Sequence, residues 1–128
     1  MITRISHDDL PLLDRAARLF GGVPADVAFL GPQNAMAFVA SKGDEILGWC
    51  WGYHLVRPDA SGMLYVHGLD VAEGHRRRGI GRSLLKAFMA AGKEAGAAKM
   101  FVFTSEANTA ARSLYEPMGG GPRPRGRR

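Results

Sequence analysis

Arginines beside glycines at a helix start make anion sites, and residues 75–83, His-Arg-Arg-Arg-Gly-Ile-Gly-Arg-Ser, have that composition. Arg76, Arg77 and Arg78 precede a Gly-x-Gly turn at Gly79 and Gly81, with Ile80 between them and Arg82 after. Glycines let the backbone approach an anion closely and aim successive N–H groups at it. A helix beginning there adds unpaired N–H groups and the positive end of its dipole. The chemistry implied is capture of a diphosphate.

Spacing discriminates among the phosphate motifs. A Walker A loop needs Gly-x-x-x-x-Gly-Lys-Ser/Thr; Gly74 and Gly79 have the separation, but Ile80 occupies the lysine position. A dinucleotide fingerprint needs a third glycine where Leu84 stands. What remains is Arg/Gln-x-x-Gly-x-Gly/Ala, filled by Arg76, Gly79 and Gly81.

Such a turn needs an element on each side. Upstream, Met63–Val71 reads as a strand. Downstream, Ile80, Leu84, Leu85, Phe88, Met89 and Ala95 recur at helical spacing, and Gly92 and Gly96 weaken and end that helix. From the N-terminus, Ile2–Ile5 reads as a short strand. Ser6 or Asp8 caps a helix with Leu10, Leu13, Ala17 and Phe20 on one side, and Gly21-Gly22 ends it. Residues 23–34, with Pro24, Gly31 and Pro32, form a loop or short helix. Ala35–Ala40 is a second strand, Ser41–Asp44 a tight turn, and Glu45–Val56 a long third strand. Lys99–Thr104 reads as a fifth strand. After it, Asn108 or Thr109 caps a short helix on which Asn108 and Tyr115, about two turns apart, share a face.

The two informative segments together resemble the GNAT N-acetyltransferase superfamily. Arg76, Gly79 and Gly81 match its coenzyme A-binding motif; Asn108, Ala111, Leu114, Tyr115 and Gly119 match its Asn-x-x-Ala-x-x-Leu-Tyr-x-x-x-Gly signature. The resemblance covers about residues 2–119. It implies an α/β (α+β) fold, a mixed and mostly antiparallel central sheet flanked by helices. The activity it implies is transfer of an acetyl group from acetyl-CoA to a primary amine of a small molecule.

The same resemblance assigns roles. Backbone N–H groups of Arg77, Arg78, Gly79, Ile80, Gly81 and Arg82, with the charge of Arg76, would hold the cofactor's diphosphate. Leu69 and Val71 would pair with the pantetheine arm, the Val71 N–H facing the thioester oxygen as a one-sided oxyanion hole. Asn108 would bond the pantetheine amides, and Tyr115 would protonate the departing sulfur. The base stays open. Many relatives carry a carboxylate where this chain has Gly68. His67 and Asp70 stand nearby, on opposite strand faces if side chains alternate, and an unperturbed imidazole titrates near ~6.5. A water chain with no dedicated base is the alternative. Residues 23–34 would help wall the acceptor site.

A narrower similarity, to the aminoglycoside 3-N-acetyltransferase group and hence to antibiotic resistance, rests on Leu64-Tyr65-Val66, Leu69-Asp70-Val71, His75-Arg76-Arg77, Gly79-Ile80 and Arg18-Leu19-Phe20-Gly21. A polycationic acceptor would want a carboxylate-lined cleft, for which Asp59, Asp70, Glu73, Glu106 and Glu116 are candidates.

Composition bounds the rest. Apolar content of 46% and charged content of 23% suit an ordinary globular domain, here residues 1–119, followed by a flexible Gly/Pro/Arg tail, 120–128. No apolar run approaches a span of ~20 residues, and the first residues lack a signal peptide's apolar core. Cys50 stands alone, which fits a small buried hydrophobe in a reducing cytoplasm. The net charge is +5, yet four of the 17 basic residues lie in the last six positions. The remaining 13 face 12 acidic residues, so no broad nucleic-acid face is expected. His7, His54 and His75 lack ligand spacing, and no metal is expected. The superfamily's final hairpin is missing after Gly119, so a homodimer is expected to cover the open sheet edge. The rival readings are a coenzyme A-binding protein without catalysis and a nucleic-acid binder using Arg76–Arg78 and the tail.

Overall fold

The computed structural model of the chain describes residues 1–31, 34–59 and 61–102. The helix expected from Asn108, with Tyr115, lies outside these residues, as do Phe103, Thr104 and the tail. The described residues form five strands and two α-helices, in the order β1 (Ile2–Arg4), α1 (Leu10–Gly21), β2 (Ala35–Lys42), β3 (Glu45–Val56), β4 (Gly62–Val71), α2 (Ile80–Glu94) and β5 (Ala97–Val102).

The strands form one sheet in sequence order. β1 to β4 are antiparallel neighbours, and β5 joins β4 in parallel. That last pairing requires a crossover, which α2 provides. The fold class is therefore the mixed, mostly antiparallel one that the sequence implies.

Among the described residues each face of the sheet carries one α-helix. On one face α2 buries Leu84, Leu85 and Phe88 against Phe38, Cys50, Leu64, Val66 and Leu69. On the other, α1 lays Leu13 and Ala16 on Ala37, Val39 and Ile46, with Trp49 and Trp51 at the margin. Fully burying a side chain such as Phe88 contributes about 1.5–3 kcal/mol. Cys50 is completely buried, as its neighbours in β3 suggest, and burial pushes its thiol pKa well up.

Several expectations shift in detail. Ser6 caps a 3-10 helix, His7–Asp9, instead of α1 itself: its Oγ accepts from the Asp8 N–H while Asp9 Oδ2 accepts from the Ser6 N–H at 3.0 Å. This reciprocal pairing satisfies two otherwise orphaned groups at the helix entry. Gly22, in the left-handed region at φ +77°, ends α1 as the double glycine suggests. Residues Val27–Leu30 form a second 3-10 helix, capped by the Asp26 side chain. β2 runs to Lys42, so the hairpin turn is only Gly43-Asp44, with Gly43 at φ +59°. Ala95 caps α2 and does not join the core. Gly92 does not weaken α2: it is buried, and a Cβ there would collide with the Leu64 side chain. β5 begins at Ala97, two residues before the expected Lys99. Among the described residues, no helix is long and apolar enough to cross a membrane.

Candidate functional site

A β-bulge organises the site. Trp51 pairs with Gly68 and Gly52 with Val66, leaving His67 unmatched in β4. An extra residue in one strand switches which positions face which side. Leu64 and Val66 before the bulge, and Leu69 after it, all join the core under α2. His67 and Asp70 consequently fall on the opposite face together. The His67 ring centroid lies 4.9 Å from that of Trp51, and Asp70 Oδ2 accepts a hydrogen bond from Trp49 Nε1 at 2.8 Å. Trp49 and Trp51, two apart in β3, share the α1 face. The expectation that His67 and Asp70 occupy opposite faces is thus overturned, because strict alternation fails at the bulge.

The same bulge explains the missing carboxylate at Gly68. A Cβ on Gly68 would run into the Trp51 indole, so the indole fills that space. Of the two base candidates, Asp70 has its carboxylate engaged by Trp49, whereas His67 sits at the unmatched position with an exposed side chain.

The strand end and the turn after it build the candidate anion site. Ala72 N–H donates to Leu47 O at 2.8 Å, across to β3. In an antiparallel pair successive N–H groups point alternately toward and away from the partner. The N–H groups of Val71 and Leu69 therefore point away from β3, toward the side on which β5 lies. The Val71 carbonyl, on that same side, accepts from Arg76 Nε at 3.1 Å, so Arg76 braces the turn against β4. His75 Nε2 lies 2.8 Å from Glu45 Oε2 and ties the turn to the start of β3, while Arg78 Nη1 lies 3.4 Å from His75 Nδ1.

Arg77, the only described non-glycine residue with positive φ, stands at +66°, and Gly79, the N-cap of α2, at +81°. No side chain caps α2, and its first backbone bond runs from Ser83 N–H to Gly79 O. The N–H groups of Ile80, Gly81 and Arg82 precede that bond and are left for a ligand. Arg77, Arg78, Gly79 and Arg82 are exposed; Ile80 and Gly81 are half-buried. Gly81 seats the helix start on β4: a Cβ there would stand 3.3 Å from Val71 Cγ2. The turn and the strand end thus form one continuous surface, and it suits a diphosphate followed by an extended amide-bearing arm. Leu69, Val71, Arg76, Arg77, Arg78, Gly79, Ile80, Gly81 and Arg82 are brought together as the sequence implies. Asn108 and Tyr115 lie outside the described residues.

The sequence places residues 23–34 at the acceptor wall but does not show which residues of α1 and β3 they meet. Between α1, residues 25–29 and β3 lies a cavity of about 200 Å³ walled by Leu13, Ala17, Ala25, Phe29, Trp49 and Trp51. Its signal was available, since Trp49-x-Trp51-x-Tyr53 puts three aromatics on one strand face. Asp14 holds the loop over it, accepting from Ala25 N–H at 3.0 Å and from Arg18 Nε at 2.8 Å. Those bonds, the Arg18 one foremost, hold the Asp14 carboxyl below its ordinary pKa.

Comparison with known proteins agrees with this geometry. Residues 7–119 match the model of the acetyltransferase (GNAT) family. The chain is 35% identical over 112 residues to a mycothiol acetyltransferase of Corynebacterium aurimucosum; the match takes in 87% of this chain but only 35% of that protein's length. An aminoglycoside acetyltransferase from an uncultured soil metagenomic sample, solved with sisomicin, superposes with a TM-score of 0.78 at 24% identity over 100% of this chain and 91% of that one. An aminoglycoside N-acetyltransferase solved with CoA gives 0.71 at 21% identity, over 98% and 90% of the two chains.

Proposed function

The chain belongs to the acetyltransferase (GNAT) family, and from that premise we propose that it moves an acetyl group from acetyl-CoA to the amine of a small molecule. The observation that carries this reading is the joined surface of β4 and α2, where outward-pointing N–H groups of Leu69 and Val71 meet the uncapped first turn at Gly81.

In this reading the first turn of α2 binds the diphosphate and the edge of β4 pairs with the pantetheine arm. The Val71 N–H then donates to the thioester oxygen as it gains charge. Fixing the thioester beside the amine supplies much of the acceleration. The amine attacks as the neutral base, the N–C bond forms and the C–S bond breaks. His67 takes the amine proton directly or through water, and the thiolate leaves as the free thiol with a proton from Tyr115. Asn108 bonds the pantetheine amides. Asp70 acts by fixing Trp49. Aminoglycosides belong in the acceptor panel because two fold neighbours act on them, but likeness in fold alone assigns no acceptor here.

The test has two arms. Acetyl-CoA should raise the melting temperature, since a ligand of the native state stabilises it. Release of CoA thiol should then be followed with an aminoglycoside, polyamines, amino acids and simple arylalkyl and alkyl amines. A thermal shift without turnover on any amine would favour a binding protein that does not catalyse. Absence of both would overturn the proposal.

A further inference from the structure

We infer that the acceptor is an amine with one cationic group on a flat apolar body, an arylalkylamine in chemical class, seated among Phe29, Trp49 and Trp51. The inference rests on the transferase reading above and adds the acceptor's chemistry to it.

The first ground is the wall. The rings facing the cavity are held by other rings. Phe29 meets Trp51 edge-on, with centroids 5.7 Å apart and planes at 86°; Phe20 stacks on Trp49 at 5.7 Å and 28°. Trp49 is also fixed by its bond to Asp70. Rigid aromatic walls lose little entropy on binding and favour a ring at stacked or edge-on angles.

Size is the second ground. A cavity of roughly 150 Å³ admits benzene. At about 200 Å³, this one has room for one ring and a short arm. A multi-ring aminosugar would project beyond it into solvent, with only part of its surface against the rings.

Charge is the third. Among the described residues Asp26 is the only carboxylate lining the cavity, and its Oδ1 already accepts the Ala28 N–H at 2.9 Å. Asp14 is engaged by Arg18 and Ala25, and Asp70 by Trp49. Any further charge of a polycation that entered the cavity would meet apolar walls with no second carboxylate lining it among the described residues, which is costly. A monocation matches the supply. Trp51 walls the cavity and also touches His67. A ring seated there therefore points a one- or two-carbon arm toward the bulge. There the amine forms the N–C bond and the C–S bond breaks, the amine giving up one proton to the proposed base while the CoA sulfur gains one from the proposed acid.

The chain's two tryptophans both line this cavity, so their emission reports its occupancy independently of turnover. The full chain is titrated with phenethylamine, cyclohexylmethylamine, n-propylamine, spermidine and kanamycin, and the same amines are assayed with acetyl-CoA. Expected is a saturable change in emission with phenethylamine, and a kcat/KM for it at least about tenfold above those of n-propylamine, spermidine and kanamycin. Ala25→Leu, which fills the cavity, and Phe29→Ala, which opens it, should each lower that preference about tenfold while the melting shift with acetyl-CoA persists. Preferred acetylation of kanamycin or spermidine, or no change in emission with phenethylamine, would overturn the inference and leave the transferase reading standing. Emission that responds to phenethylamine without acetylation of any amine would overturn the transferase reading and keep the cavity's ligand class.

Discussion

Trp49 Nε1 and Asp70 Oδ2 are 2.8 Å apart across the β3–β4 ladder, and this bond fixes the indole against the strand that carries the bulge. In the proposed mechanism Asp70 therefore positions the indole and the proton goes to His67, two residues before the Leu69–Val71 edge and beside Trp51.

His67→Gln should therefore lower kcat by about 100-fold at neutral pH, in the range a general base contributes, while acetyl-CoA affinity stays unchanged. Asp70→Asn, which keeps an acceptor for the indole, should leave the shape of the pH–rate profile intact. Steady-state kinetics across pH for the two variants check both halves. An unchanged kcat in His67→Gln would assign the proton to water.

Gly81→Asp should abolish the melting shift caused by acetyl-CoA, because its carboxylate would meet the diphosphate at the helix start. Gly81→Ala is the control: its Cβ, 3.3 Å from Val71 Cγ2, needs only a small adjustment and should keep most of the shift. Thermal melts with and without cofactor distinguish them.

Gly52→Ala should destabilise the fold by about 1–3 kcal/mol or more, the range of an overpacked core site. A Cβ there would collide with the Tyr65 carbonyl oxygen, on the strand that carries the bulge. Urea unfolding, read as a lower midpoint at unchanged slope, measures the loss.

Stability should fall on acidification partly through Asp14. Its pKa is depressed in the fold, so its contribution is present above the unfolded carboxylate's pKa and is lost as pH falls through the folded one. Asp14→Asn should flatten the acid side of a plot of melting temperature against pH, and should loosen the loop that Ala25 N–H anchors.

Much of this was legible in the residues. Period-two and period-3.6 patterns located every described strand and both helices, with ends off by one or two residues where the chain's own turn chemistry decided. Gly92 differs from its expected role because a glycine that makes room for a neighbouring side chain, here Leu64, looks in sequence like one that weakens a helix. The turn between β4 and α2 was legible because its glycines and arginines are contiguous. The relation of His67 to Asp70 was not, since a bulge depends on how β4 pairs with β3. The cavity was hidden for a similar reason: Trp49 and Trp51 alternate visibly, but Phe29 and Ala25 reach them only through the fold.

Cys50 gives the molecule an internal clock. It is the chain's one cysteine and is fully buried in the middle of β3, with burial disfavouring its thiolate. A thiol reagent can reach it only when the sheet parts. Its labelling rate therefore reports how often the strands under the site separate, and slowing by a bound ligand would measure how firmly that ligand holds them closed.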